Sequence, residues 1–141
     1  MEKRTEKTEA ILMERFGRDC LISLATVEDG MPYVRGVNAF YQDGSFYVLT
    51  HALSNKVRQI EKNDAVSICG EWFTAQGTAM SLGAFLREEN REIADRMKTL
   101  FAGWLDNGHM NLEDEHTCIL KIRLKTGVLF SHGTRYDIDF E

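Results

Sequence analysis

The sequence predicts a mainly β, α+β fold: an antiparallel barrel with a few helices. Two Asp-Gly pairs, Asp29-Gly30 and Asp43-Gly44, each separate two runs of β-branched and aromatic residues, a strong signal for a β-hairpin. Helical periodicity occurs only near the start, in one short crossover and near the end. Gly77 and Gly83 interrupt a long strand-like segment, as the bends of a closing barrel require. Hairpin-linked strands with few helices are typical of a closed antiparallel sheet.

The predicted elements follow in a regular order along the chain. An amphipathic helix over 5–16 comes first, a short helix begins after the N-cap Ser54, and an apolar stripe over 93–104 predicts a third helix. The remaining polar segment, 106–115, is predicted to be a loop. Strands are predicted over 20–27, 31–41, 46–50, 65–70, 72–82 and 117–131, the last bent at Gly127.

Composition excludes several classes of function. The 141 residues, 43% of them hydrophobic, suit a single domain over 1–141, and a net charge of −5 argues against nucleic-acid binding. Three scattered cysteines favour reduced thiols over disulfides or a metal site. No apolar run reaches the ~18 residues of a membrane span, and the N-terminus is too charged for a secretory signal. We therefore expect a cytoplasmic protein without a metal, a membrane or a nucleic-acid partner.

The short helix after Ser54 has an unusual charge in its first turns. Lys56 and Arg58 lie there, where the partial positive charge of a helix N-terminus disfavours cations by about a few tenths of a kcal/mol. A bound phosphate would reverse that sign, and Thr50 and Ser54 would add hydroxyl groups to the free backbone N–H groups. The pattern is compatible with a phosphate site, and equally with an ordinary helix start that carries two surface cations.

Residues 24–70 contain a longer pattern. The letters ATV..G.PY.R.V span one predicted hairpin, and T...S.K..QI..N..VS follow from the end of the next strand. This pattern resembles the flavin-binding split-barrel family that includes pyridoxamine 5'-phosphate oxidase. The resemblance is close over about a third of the chain and loose over most of it. It implies a split β-barrel that pairs as a homodimer, with one flavin mononucleotide (FMN) in each of two grooves between the subunits.

The resemblance also implies which residues bind the cofactor. They form three groups. The first lies on a strand that meets the flavin ring and the ribityl chain. The second comprises the end of the next strand and the start of the following helix, which contact the ribityl chain and the phosphate, and the third is a single glutamine. The residues are Arg35, Gly36, Val37, Asn38, Leu49, Thr50, Ser54, Asn55, Lys56 and Gln76. Asn55 replaces an arginine common in the oxidases, so phosphate affinity depends more on Lys56, with Arg58 as a substitute cation.

Several further assignments have two readings. Gln76 aligns with a glutamine that contacts the flavin, although the glycine after it could alone account for the pattern. Trp72 and Phe73 could stack on the flavin or fill the barrel core. His51 and His132 could donate a proton to a substrate, or be ordinary surface histidines.

The expected function is that of an FMN-dependent oxidoreductase. Hydride passes through flavin N5 to a small-molecule substrate, a reduced nicotinamide is a candidate electron donor, and no catalytic side chain is required. The nitroimidazole reductases and general-stress flavoproteins are similar short proteins. One alternative is a non-catalytic protein that binds flavin or haem in the same groove, and another is a barrel that serves only as an interaction module.

Efficient pyridoxamine 5'-phosphate oxidase activity is not expected. Phe40 stands where the oxidases have a lysine, and the chain ends in RYDIDFE where they have an R.AP segment. The added carboxylates would repel a phosphorylated substrate, and Arg135 is the one residue that could compensate.

Overall fold

The computed structural model describes residues 1–105, 108 and 110–141, and these form eight strands and four α-helices. None of the described helices is long and apolar enough to cross a membrane. The strands are β1 (Glu2–Lys3), β2 (Cys20–Glu28), β3 (Met31–Gln42), β4 (Ser45–His51), β5 (Ala65–Gly70), β6 (Phe73–Ala84), β7 (Thr117–Ser131) and β8 (Thr134–Asp139). The helices are α1 (Glu6–Phe16), α2 (Asn55–Lys62), α3 (Arg91–Leu100) and α4 (Ala102–Leu105).

Six of these strands close into an antiparallel barrel, which confirms the predicted fold class. Their order is β7-β4-β3-β2-β5-β6, and the pairing of β6 with β7 closes the ring. Both predicted Asp-Gly hairpins are present, with φ of 52° and 77° at Asp29-Gly30 and 45° and 81° at Asp43-Gly44. The register between β6 and β7 shifts beside Gly77, where a Cβ would lie 2.1 Å from the carbonyl oxygen of Arg123. Glycine is therefore required at this bend.

Two apolar clusters stabilise the barrel, one in its interior and one on its outer surface. The first fills the interior, and α1 covers one end of it with the fully or nearly fully buried Leu12 and Phe16. The second lies between the outer side of β4 and β7 and the helix α3, where Phe40 stacks on Tyr47 at 5.4 Å between ring centroids. Strand β4 is thus covered on both faces, which fixes the position of its last residues.

Three features differ from the sequence-based expectation. The C-terminal segment forms β8, which pairs with β7 through a turn at His132-Gly133 and carries the short parallel strand β1 beyond it. The stripe over 93–104 is interrupted at Phe101, so that α3 and α4 are separate helices. Trp72 lies in a turn before β6, at φ 52°, and not in the strand. Residues 106, 107 and 109 of the predicted loop lie outside the described residues.

Candidate functional site

The start of α2 contains a buried hydroxyl group that lacks a hydrogen-bond partner in the part of the chain that the structure describes. Ser54 has the extended backbone of an N-cap, yet its side chain makes no capping hydrogen bond. Its Oγ is buried and has no partner among the described residues. Burying such a group costs about 1–3 kcal/mol. An N-cap serine ordinarily avoids this cost by accepting from a first-turn N–H group, so the Ser54 hydroxyl is available to another group at this helix end.

Lys56, two residues after Ser54 in the first turn of α2, is a half-buried cation. Its Nζ donates a hydrogen bond of 2.8 Å to Oγ1 of Thr50, the buried residue near the end of β4. In the part of the chain that the structure describes, no carboxylate lies within ion-pair distance of Lys56. Burial, and then the positive charge of Arg35, lower the pKa of Lys56. The two cations therefore act on each other across the same region, a situation that a bound anion would relieve.

Arg35 is the second cation, and neutral groups hold it. Its Nη1 donates to the carbonyl oxygen of Leu24 at 3.2 Å and to Oγ1 of Thr26 at 2.9 Å. Its Nη2 donates to Oε1 of Gln59 at 3.1 Å. No acidic side chain among the described residues pairs with it, so its charge is not cancelled. We call Arg35, Thr50, Ser54 and Lys56 the α2 anion site.

Arg58, the other cation in the first turns of α2, has a different environment. It forms an ion pair with Glu28 of β2, with Nη1 2.5 Å from Oε2. The hydrogen bond from Arg58, followed by that from Gln59, lowers the pKa of Glu28 to about 2. This ion pair explains the position of Arg58 without a ligand, and it removes Arg58 from the expected role of substitute cation.

The other predicted cofactor residues have varied positions. The side chain of Val37 is buried in the barrel interior and that of Leu49 in the second cluster, so these residues offer mainly backbone groups. Asn55 is exposed at the start of α2. Gly36 and Asn38 lie on the outer face of β3, where Asn38 donates to the carboxylate of Asp19 at 3.1 Å. The structure thus groups Arg35, Thr50, Ser54 and Lys56, and leaves Gly36, Val37 and Asn38 further along β3.

Gln76 lies on the outer face of the barrel and accepts a hydrogen bond of 3.2 Å from Thr126. It lines a shallow groove of about 230 Å³ whose other walls come from β2, β3 and β5. In the described part of the chain, the side chain of Gln76 is hydrogen-bonded to Thr126 and to no residue of the α2 anion site.

The aromatic and histidine candidates are divided between the two ends of β7. Cys118, near its start, pairs with Thr50 of the α2 anion site, whereas Leu129, near its end, pairs with Phe73. Trp72 and His132 lie in turns at that far end, and Phe73 is buried in the core. His51 is at the near end, where its Nε2 is 3.4 Å from a carboxylate oxygen of Asp114. Of these candidates, only His51 adjoins the α2 anion site within one subunit.

Sequence reasoning did not assign a role to Thr26 and Gln59, which form the inner support of the site. Both are buried, and the hydroxyl of Thr26 donates to Oε1 of Gln59 at 2.5 Å. The available signal was a polar residue at a core position of a strand, and a glutamine on the buried side of an amphipathic helix.

Comparison with known proteins agrees with this architecture. The family model described as pyridoxamine 5'-phosphate oxidase matches residues 12–124. The chain belongs to the pyridoxamine 5'-phosphate oxidase family. The family match covers the barrel from the end of α1 to the middle of β7, and with it the whole α2 anion site. A comparison with curated protein sequences finds no match.

Solved structures with the same fold are numerous. A NimC/NimA family protein from Clostridium acetobutylicum is 18% identical, with a TM-score of 0.68 over 94% of either chain. An FAD-binding protein from Mesorhizobium loti is 16% identical, with a TM-score of 0.67 over 88% of this chain and 91% of that one. A heme-binding protein from Mycobacterium smegmatis is 13% identical, with a TM-score of 0.71 over 98% of this chain and 59% of that one. At these identities the similarities show the fold.

Proposed function

We propose that this member of the pyridoxamine 5'-phosphate oxidase family binds FMN, with the phosphate group at the α2 anion site. The buried hydroxyl of Ser54, which has no partner in the described part of the chain, carries the proposal. It lies at the N-terminus of a helix whose first turn also contains Lys56, a lysine without a carboxylate partner among the described residues. A helix N-terminus supplies free N–H donors and a favourable dipole for an anion.

The donors present fit a phosphate group. Ser54 and Lys56 supply a hydroxyl and an ammonium, Arg35 adds a second positive charge, and the first turn of α2 adds backbone N–H groups. A phosphate monoester carries about −1.5 to −2 charges at pH 7, which two cations balance. Charge-assisted hydrogen bonds are the stronger class, so the site favours FMN over riboflavin.

We also propose that the functional unit is a homodimer. Leu21, which pairs with Asn38, and Val34, which pairs with Ala25, both lie on the outer face of the β2–β3 pair and are 70% and 71% exposed. Small residues, including Ser23, Ala25 and Gly36, surround them and leave this face flat enough for a second barrel to approach. A second subunit on this face would bury the apolar side chains and enclose the cofactor that one barrel leaves open.

The proposed activity is oxidoreduction of a small molecule. When bound, the flavin supplies hydride transfer at N5, with a reduced nicotinamide as the proposed electron donor. The contribution of this chain is to anchor the phosphate through Lys56 and Ser54 and to hold β3 beside the cofactor. Orientation of this kind is what a flavoprotein must provide.

The substrate is not expected to be pyridoxamine 5'-phosphate. Phe40, where the oxidases have a lysine, is fully buried against Tyr47 and Phe101 and provides no charge to a substrate. Arg135 is bound to the carboxylate of Asp137, with Nη2 2.9 Å from Oδ1. The one cation that could compensate is therefore already paired.

A Ser54→Ala variant tests the proposal through two effects of opposite sign. Removing a buried hydroxyl without a partner should leave the unfolding temperature of the FMN-free protein unchanged or higher. The same change should weaken FMN binding between about ten- and a hundredfold, because a hydrogen bond to the charged phosphate is lost, and should leave riboflavin binding unchanged. Calorimetric titration with each flavin gives both affinities. Equal affinity of the wild-type protein for FMN and riboflavin would contradict the phosphate site.

Turnover distinguishes the oxidoreductase from the alternative, a non-catalytic protein that binds flavin or haem in the same groove. The FMN-loaded protein should oxidise a reduced nicotinamide in the presence of a nitro compound or a quinone. FMN binding without any such turnover would favour the flavin-binding alternative, and tight binding of haem in place of FMN would favour the haem-binding one.

A further inference from the structure

Arg35 owes its position to a glutamine that leaves its charge intact. Gln59, on the buried side of α2, is 2% exposed, and its Oε1 accepts from both Arg35 Nη2, at 3.1 Å, and Thr26 Oγ1, at 2.5 Å. A carboxylate in the same place would make stronger hydrogen bonds to Arg35 and would also neutralise it. The amide holds the guanidinium without that loss.

The opposite end of the same amide fixes its orientation. Nε2 of Gln59 points to Oε1 of Glu28 at 3.4 Å, and Glu28 in turn binds Arg58. Since only the NH₂ side of an amide can donate to a carboxylate, Oε1 must face Arg35 and Thr26. Glu28 therefore neutralises Arg58 and orients Gln59, while Gln59 separates Glu28 from Arg35.

We infer that Gln59 is a positioning residue that sets the charge of the α2 anion site, and hence its selectivity for a phosphorylated flavin. This inference rests on the proposed function and adds to it a residue that does not itself contact the phosphate. With glutamine at 59, Arg35 and Lys56 both contribute a full positive charge to the site. With glutamate at 59, Arg35 would form an internal ion pair, and Lys56 alone would face the phosphate.

The test compares Gln59→Glu with Gln42→Glu, which makes the same chemical change near the β3–β4 hairpin, away from α2. For each protein, the affinities for FMN and riboflavin are measured by titration calorimetry. Gln59→Glu should weaken FMN binding between about ten- and a hundredfold, the range for one charged hydrogen bond, and change riboflavin binding less than about twofold. Gln42→Glu should change neither. A purely structural role of Gln59 would instead weaken both flavins together.

A second variant keeps the inference testable if Gln59→Glu does not fold. Gln59→Met is close in size and removes the acceptor of Arg35 Nη2, so FMN binding should weaken several-fold while riboflavin binding is kept. Unchanged or improved FMN affinity in this variant would overturn the role of Gln59.

Different results would overturn the phosphate site and the role of Gln59. Wild-type protein that binds FMN and riboflavin equally would overturn the phosphate site itself. Wild-type protein that prefers FMN, together with a Gln59→Glu variant that keeps the full preference, would overturn only the positioning role.

Discussion

The two cations at the start of α2 offer a matched pair of variants. Lys56 and Arg58 are two residues apart in the same helix, but Lys56 donates a hydrogen bond to Thr50, whereas Arg58 is bound to Glu28. Replacing either with methionine removes one positive charge from the same part of the chain and keeps a long side chain. The proposed site predicts that the two variants differ in FMN binding.

The structure determines the expected magnitude for Lys56→Met. The lysine is half-buried, so its interaction with a phosphate is less screened than that of a surface cation. A charge-assisted hydrogen bond contributes about 1.5–3 kcal/mol, so its loss should raise the dissociation constant for FMN about 12- to 150-fold. Arg58→Met should change that constant less than about twofold, because an exposed charge already paired with Glu28 is screened from the site.

Titration calorimetry with FMN and riboflavin is the assay, and riboflavin is the internal reference. Both variants should bind riboflavin as the wild-type protein does. Equal losses of FMN affinity in Lys56→Met and Arg58→Met would refute the assignment of Lys56 to the phosphate, as would a Lys56→Met variant that loses both flavins alike.

Three further outcomes follow from the same structure. Burial and the charge of Arg35 lower the pKa of Lys56 below its ordinary 10.5. The preference for FMN over riboflavin should therefore be present at neutral pH, where Lys56 is charged, and should decline as the pH rises through that lowered pKa. A Lys56→Met variant titrated over the same range should show no such decline. Light scattering should report the mass of a dimer, whose interface we expect to exceed ~2,000 Å². Val34→Lys should weaken this dimer, whereas Leu86→Lys, at an exposed apolar residue after β6, should not; a wild-type monomer with flavin bound would contradict the dimer. The FMN-loaded protein should not form pyridoxal 5'-phosphate from micromolar pyridoxamine 5'-phosphate and oxygen at ordinary enzyme rates. Turnover at such rates would show that the buried Phe40 and the paired Arg135 do not exclude this substrate.

Features decided by local sequence were predicted well. The Asp-Gly hairpins and the start of α2 depend on residues a few positions apart, and both occur as expected. Strand β8 was missed because its turn uses His132-Gly133, with φ of 51° and 79°, where the sequence signal for such a turn is Asn or Asp before glycine.

Features that depend on distant residues could not be predicted. Nothing near Arg58 in sequence indicates that Glu28, on β2, neutralises it, although this ion pair decides which cation remains for a ligand. The support of Arg35 by Thr26 and Gln59 likewise joins two strands and a helix that meet only in the folded barrel. The sequence therefore indicated which residues come together at the start of α2 better than it indicated their ion pairs and hydrogen bonds.

A competition among cofactors tests whether the α2 anion site selects FMN. The protein is incubated with equal, excess concentrations of FMN, riboflavin and haem, separated from free ligand by gel filtration, and examined by absorbance and by chromatography of the released ligands. The α2 anion site predicts a flavin spectrum, about one FMN per subunit and little riboflavin. A haem spectrum, equal amounts of the two flavins, or a colourless protein would contradict it.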